Sequence, residues 1–198
     1  MSKVTVFNFV TLNGYFEGPE RDISWHKHGA EENEYAVEML NSGNTLLFGR
    51  VTYEFMASYW PTPNAIKHDP LVAERMNRAD KIVFSRTLEK VEWSNTRLVR
   101  HNIAREIKKM KQMPGKNMTL LGSGSIVTRF AQQGLIDEYQ IMVDPVVLGG
   151  GTSIFKDIKH KLNLKLTTTR TFGTGVVLLC YQPLEEAQVL IGASAGAD

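Results

Sequence analysis

The sequence predicts an α/β fold, a three-layer sandwich with a mostly parallel central sheet and an antiparallel C-terminal hairpin. Two observations carry this. Short runs rich in Val, Ile, Leu and Phe alternate with segments of helical spacing through most of the 198 residues, as strands buried between crossover helices do. Near the end, the runs 165–171 and 176–181 flank Gly173-Thr174-Gly175, which reads as a hairpin. The length suits one domain, taken as residues 1–183, followed by a tail of small residues over 184–198.

In order, residues 4–9 read as a first strand that empties into a loop, 11–19, carrying Asn13, Tyr15, Phe16 and Glu17. Residues 31–41 form a helix closed by Gly43, with Ala36, Val37 and Leu40 inward. A strand over 45–48 enters Gly49-Arg50-Val51-Thr52 and a helix that Pro61 stops after Trp60. Asp69-Pro70 places an N-cap before proline and starts a helix to Ala79. A strand over 81–84 leads into Ser85-Arg86-Thr87, and 103–113 carries Ile103, Ile107 and Met110 at helical spacing. The apolar run at 119–121 meets the turn Gly122-Ser123-Gly124-Ser125, which opens a helix with Ile126, Val127 and Phe130 on one face and Gly134 at its end. A strand over 138–143 and the glycine loop 149–151 precede the hairpin.

Composition excludes several classes. Hydrophobic content of 42% and charged content of 22% are ordinary for a globular protein. A net charge of +2 with no basic stripe gives no argument for nucleic acid. No apolar run suits a membrane span or a signal peptide, so a cytoplasmic protein is the expectation. The single cysteine, Cys180, lies in an apolar run and reads as an inert core thiol. His26 and His28 with Glu31 and Glu32 have metal-ligating side chains, but two histidines two apart in a polar loop read as solvated, and no metal is expected.

Three strand ends carry similar chemistry. Gly49-Arg50-Val51-Thr52 offers a fixed charge and a hydroxyl at a helix N-terminus, and Ser85-Arg86-Thr87 sets two hydroxyls around another arginine. Gly122–Ser125 exposes backbone amides at the positive end of a helix dipole. In an open α/β sheet these ends converge beyond the carboxyl ends of the strands, and arginine forks grip phosphate oxygens. The three together point to a ligand with several phosphates. Against this stand a tight connection that binds nothing and arginines that are merely solvated. A Rossmann reading competes as well, since Gly122-x-Gly124 precedes Asp144 by about the spacing of a ribose-binding acid. However, Val127 stands where its third glycine belongs, and the motif falls mid-chain.

The string LLFGRVTYE (46–54) resembles a signature of the dihydrofolate-reductase-like superfamily. More closely, it is similar to the reductase domain of bifunctional riboflavin-biosynthesis deaminase/reductases and its stand-alone relatives. KIVFSRTL (81–88), TLLGSGSIV (119–127) and GLIDEYQIMVDPVVLGGGTSIF (134–155) resemble that group in the same order. The resemblance implies a dihydrofolate reductase-like sheet that binds NADPH. Gly49, Arg50 and Thr52 would then lie at the pyrophosphate, and Ser85, Arg86 and Thr87 at the adenosine 2′-phosphate. Gly122, Ser123, Gly124, Ser125 and Ile126 would run along the pyrophosphate and nicotinamide side.

The same resemblance implies a small heterocyclic or ribosylaminopyrimidine substrate and, through the C-terminal strands and the Val189–Ile191 patch, a homodimer. Substrate contacts fall to Asn13, Phe16 and Trp25, the two aromatics acting either as a lid or as loop anchors. Asn13 stands where relatives commonly carry an aspartate, which leaves the proton to water or to Glu17. A nucleotide-binding protein of the same fold without turnover is the alternative.

Overall fold

The computed structural model describes residues 1–26, 29–41 and 43–184. Strand β1 (Val4–Thr11) sits inside the sheet because it is apolar on both sides. Val4, Val6 and Val10 enter one core, while Phe7 and Phe9 enter the other. It is flanked in parallel by β6 (Met118–Leu121) and β7 (Glu138–Asp144). Beyond β6 lie β3 (Thr45–Gly49), β4 (Lys81–Phe84) and β5 (Thr96–Val99), all parallel. Beyond β7 the direction reverses into the hairpin of β10 (Val177–Pro183) and β9 (Leu164–Thr171). The order β5-β4-β3-β6-β1-β7-β10-β9 is the mostly parallel sheet with an antiparallel C-terminal hairpin that the sequence predicts.

Helices cover both faces. Leu40 of α1 (Ala30–Asn41), Tyr53 of α2 (Arg50–Tyr59) and Met76 of α4 (Pro70–Arg78) pack on the Phe7 side. Ile107 of α5 (Ile103–Gln112), with Val127 and Phe130 of α6 (Gly124–Gln132), packs on the Val6 side. Gly134, in the left-handed region at φ +61°, ends α6 as its position predicts.

Three pieces were not anticipated. The short α3 (Pro63–His68) is started by the Thr62 side chain, which accepts from the Ala65 amide. The polar strand β5 forms an edge beside β4, and β2 (Tyr15–Glu17) pairs with β8 (Thr152–Ser153) as a small ribbon. One expectation is corrected. Asp69 precedes α4, but its side chain makes no capping bond.

Lys81 is fully buried in β4. Its Nζ donates to the carbonyls of Met76, Asn77 and Ala79 at 2.8, 3.1 and 2.7 Å, at the end of α4, and lies 4.5 Å from the centre of the Trp93 ring. Burial pushes its pKa down to about 8. Cys180 is buried and its thiol is pushed up by burial, as an inert core thiol should be. Among the described residues, no helix is long and apolar enough to cross a membrane. His28 and Val189–Ile191 lie outside the described residues.

Candidate functional site

The site begins where the strands stop. β1 pairs with β6 only as far as Phe7 but follows β7 to Thr11, so a gap opens between β1 and the turn after β6. The turns after β3 and β6 close against each other there. Ser123, in the left-handed region at φ +62°, turns its Oγ inward, where it accepts from the Gly49 amide at 2.7 Å and donates to Thr52 Oγ1 at 2.8 Å. The glycines allow this approach. A Cβ on Gly49 would lie 2.7 Å from Ser123 Oγ, and one on Gly122, already at φ +58°, would lie 2.9 Å from Thr52 Cγ2. A Cβ on Gly124 would meet the Phe16 ring at 3.0 Å.

Two helix N-termini therefore face one groove. Neither α2 nor α6 has a side chain bonded across its first turn, which leaves backbone N–H groups and the positive dipole ends for an anion. The groove is lined by Gly49, Arg50, Thr52, Ser123, Gly124, Ser125 and Ile126, with Phe84 and Glu17. It also gathers Arg21, Lys156 and Asp157, none of which stood out in the sequence because no strand-end motif marks them. Arg50 is half-exposed, with one guanidinium nitrogen on Glu54 at 3.1 Å, so its fork keeps donors for a ligand.

Beside the groove, across Phe16 and Thr52, lies an apolar cavity of about 260 Å³. The rings of Phe7, Phe9, Phe16, Trp25, Phe55 and Trp60 line it, with Asn8, His26, Asn33 and Asp69 as polar members. Asn8 is the first β1 residue beyond the β6 pairing, and its Oδ1 is buried with no hydrogen-bond partner among the described residues.

The predicted residues divide. Those of the turns after β3 and β6 come together. Phe16 and Trp25 line the cavity, Trp25 with its Nε1 on the Asp22 carbonyl at 3.1 Å. Ser85 shapes its own turn, its Oγ accepting from the amides of Thr87 and Leu88 at 3.2 and 2.9 Å. Arg86 and Thr87 follow it on the exposed surface, beyond the groove's Phe84 wall. Asn13 is a clamp between loops. Its Oδ1 accepts from Thr11 Oγ1 at 2.8 Å and its Nδ2 donates to the Leu148 carbonyl at 2.8 Å, so it ties the loop after β1 to the one at Leu148. Gly149–Gly151 line neither pocket. A Cβ on Gly151 would strike the Glu17 carbonyl, so that loop shapes the β2–β8 ribbon.

His26 overturns its reading as a solvated loop residue. It is buried in the cavity wall, its Nδ1 2.8 and 2.9 Å from the two Asp144 carboxylate oxygens. Glu31 and Glu32 lie elsewhere, the first near Arg170 and the second on the Thr174 hydroxyl. Asp144, the acid of the Rossmann reading, is likewise taken by His26 and sits on β7, across β1 from the Gly122 turn. That geometry and the strand order remove the Rossmann alternative.

Residues 2–178 match the family described as the RibD C-terminal domain. Two similar proteins come from Bacillus subtilis strain 168. YyaP is 34% identical over 172 residues, covering 87% of this chain and 90% of its own. YwjB is 26% identical over 180 residues, covering 89% and 95%. Both are described as uncharacterized.

Among solved structures, a putative riboflavin biosynthesis protein from Shewanella sp. PV-4 superposes with a TM-score of 0.72 at 20% identity, over 92% of this chain and 99% of that one. A pyrimidine reductase-like protein from Corynebacterium diphtheriae gives 0.69 at 10% identity over 93% of each chain. A diaminohydroxyphosphoribosylaminopyrimidine deaminase/5-amino-6-(5-phosphoribosylamino)uracil reductase from Thermotoga maritima gives 0.65 at 14%, over 92% of this chain and 57% of that one. With its sheet order, its paired glycine turns and a match over nearly the whole described length, the chain belongs to the RibD C-terminal domain family.

Proposed function

We propose that this chain is an NADPH-dependent reductase of a small heterocyclic or ribosylaminopyrimidine-type substrate. The observation that carries the reading is the junction itself: a groove with two uncapped helix N-termini and Arg50 opens directly into an aromatic cavity. A dinucleotide needs both, a polar cradle for its phosphates and an apolar slot for a flat ring. The residues fit the group. The glycines at 49, 122 and 124 let its phosphates approach the backbone, and the unsatisfied Asn8 Oδ1 asks for a donor such as a carboxamide. When bound, the cofactor supplies a hydride. The chain's part is to hold the phosphates, orient the ring and keep water from the cavity.

Calorimetric titration with NADPH and NADH tests the assignment. A charge-assisted bond to phosphate is worth about 1.5–3 kcal/mol, so Arg50→Ala is expected to weaken both cofactors roughly tenfold or more. Arg86→Ala is expected to weaken NADPH alone, since only NADPH carries the 2′-phosphate. Equal affinity of the wild type for both cofactors, unchanged by Arg86→Ala, would move that phosphate to Arg21 or Lys156. Absence of binding to either cofactor would end the reading.

The same proposal includes a twofold homodimer. The outermost strand β9 is exposed on nearly every residue over Leu164–Thr171 and paired on one side only, and such an edge calls for cover. Light scattering at micromolar concentration is expected to give twice the mass of the 22.3 kDa chain, and a monomer mass counts against it.

A further inference from the structure

Reduction of a C=N or C=O bond needs a proton as well as a hydride, and Asn13 supplies none, its amide being spent on Thr11 and Leu148. We propose that His26, held by Asp144, delivers that proton; this rests on the reductase reading above. His26 enters the cavity wall from the segment after β2, and Asp144 is the last residue of β7, so 118 positions of sequence separate two side chains that meet at 2.8 Å. Their side chains are only 8% and 5% exposed. The imidazole lies on Phe9, ring centres 3.7 Å apart at 36°, with the Trp25 ring edge-on at 5.9 Å. Two aromatic contacts fix the plane of the ring, and the carboxylate fixes its rotation.

A carboxylate only accepts, so Nδ1 carries the proton that faces Asp144. This fixes the tautomer and leaves Nε2 as the nitrogen turned away from the carboxylate. Burying a pair of polar, ionisable groups is costly, and this one stands at the carboxyl end of the sheet, with His26 in the cavity wall and Asp144 at the end of β7, across β1 from the Gly122 turn.

The step balances. A dihydronicotinamide held at the Gly49 and Gly122 turns would supply the hydride at the carbon of the C=N or C=O bond, and His26, protonated on both ring nitrogens, would give one proton to the heteroatom. The ring is left neutral and is recharged from water. Asp144 stays a carboxylate throughout, so it is a positioning residue and His26 the catalytic one.

The test uses the full chain with NADPH and two probes, 7,8-dihydropterin and 5-amino-6-(5-phosphoribosylamino)uracil. With whichever probe the wild type reduces, His26→Gln is expected to lower kcat about a hundredfold or more, leave the Kd for NADPH within about twofold, and raise the solvent deuterium isotope effect as proton transfer becomes limiting. Asp144→Asn is expected to lower kcat with little change in KM, a split that loss of packing would not give. Thermal melts of both variants confirm that they are folded.

Independently of turnover, long-range proton–nitrogen NMR of the free wild-type protein is expected to find the His26 proton on Nδ1, and Asp144→Asn is expected to redistribute it. Turnover that survives His26→Gln, or a bare Nδ1 in the wild type, overturns the proposal alone. Failure of the wild type to oxidise NADPH with either probe overturns the reductase reading, and the proton donor falls with it.

Discussion

Replacing Gly122 with valine is expected to remove nucleotide binding and destabilise the fold together. Gly122 has φ +58°, a conformation that costs a β-branched residue at least 1–2 kcal/mol, roughly. Its new Cβ would lie 2.9 and 3.0 Å from Thr52 Cγ2 and Oγ1, and forced overpacking adds about 1–3 kcal/mol. Thr52 cannot retreat freely because its hydroxyl accepts from Ser123, whose Oγ also holds the Gly49 amide. A loss of about 2–5 kcal/mol in urea unfolding follows. The two turns would part at the point where, in the proposed reading, they share the phosphates. Losing two charge-assisted contacts amounts to roughly 3 kcal/mol, or about a hundredfold in NADPH affinity. Gly122→Ala should show the same pattern more weakly. A valine variant that melts and binds like wild type would mean that the turns do not form the site.

The second large effect lies far from any ligand. Lys81→Met is expected to destabilise the protein by about 3 kcal/mol, because three carbonyls at the end of α4 lose the donor that serves them all. For a chain of this size that is a fall of roughly 6–12 °C in Tm. Lys81 also gives the fold a pH dependence whose sign is fixed. Its folded pKa is about 8 against an ordinary 10.5. Below pH 8 both states carry the proton and nothing changes. Between about pH 8 and 10.5 the folded chain has lost it while the unfolded chain keeps it, so stability rises with pH. Wild type measured against Lys81→Met should therefore gain stability through that window, and a difference that stays flat or falls would show that the ammonium is not penalised by burial.

What could be read from the sequence was what short stretches decide for themselves. The strand at 81–84 was legible to the residue because an apolar run and its flanking polar residues set its bounds, and Gly134 marked its helix end because only a left-handed residue fits there. The turns at Gly49 and Gly122 were legible for the same reason. What escaped depends on distant partners. β5, with Thr96 and Arg97 in it, becomes a strand only by lying along β4. The β2–β8 ribbon joins residues of two loops, and α3 sits between prolines that read as breaks.

The site divided along the same line. The groove could be assembled from strand-end motifs, but nothing near His26 announces Asp144. Asn13 drew attention for its place in a motif, and only the packing of the loop at Leu148 shows what its amide does.

The hydroxyl of Ser123 has one more consequence. Because it ties the Gly49 amide and the Thr52 side chain to the start of α6 through the protein's own bonds, the two turns are already at their working separation before anything arrives. A ligand that enters this groove orders little that was loose, and more of its contact energy is kept as affinity. The arrangement also makes the groove selective by shape. Where the Gly49 and Gly122 turns meet, the contact is made by backbone and by the tied Ser123 and Thr52 hydroxyls, so a ligand too bulky for that point is turned away by rigidity.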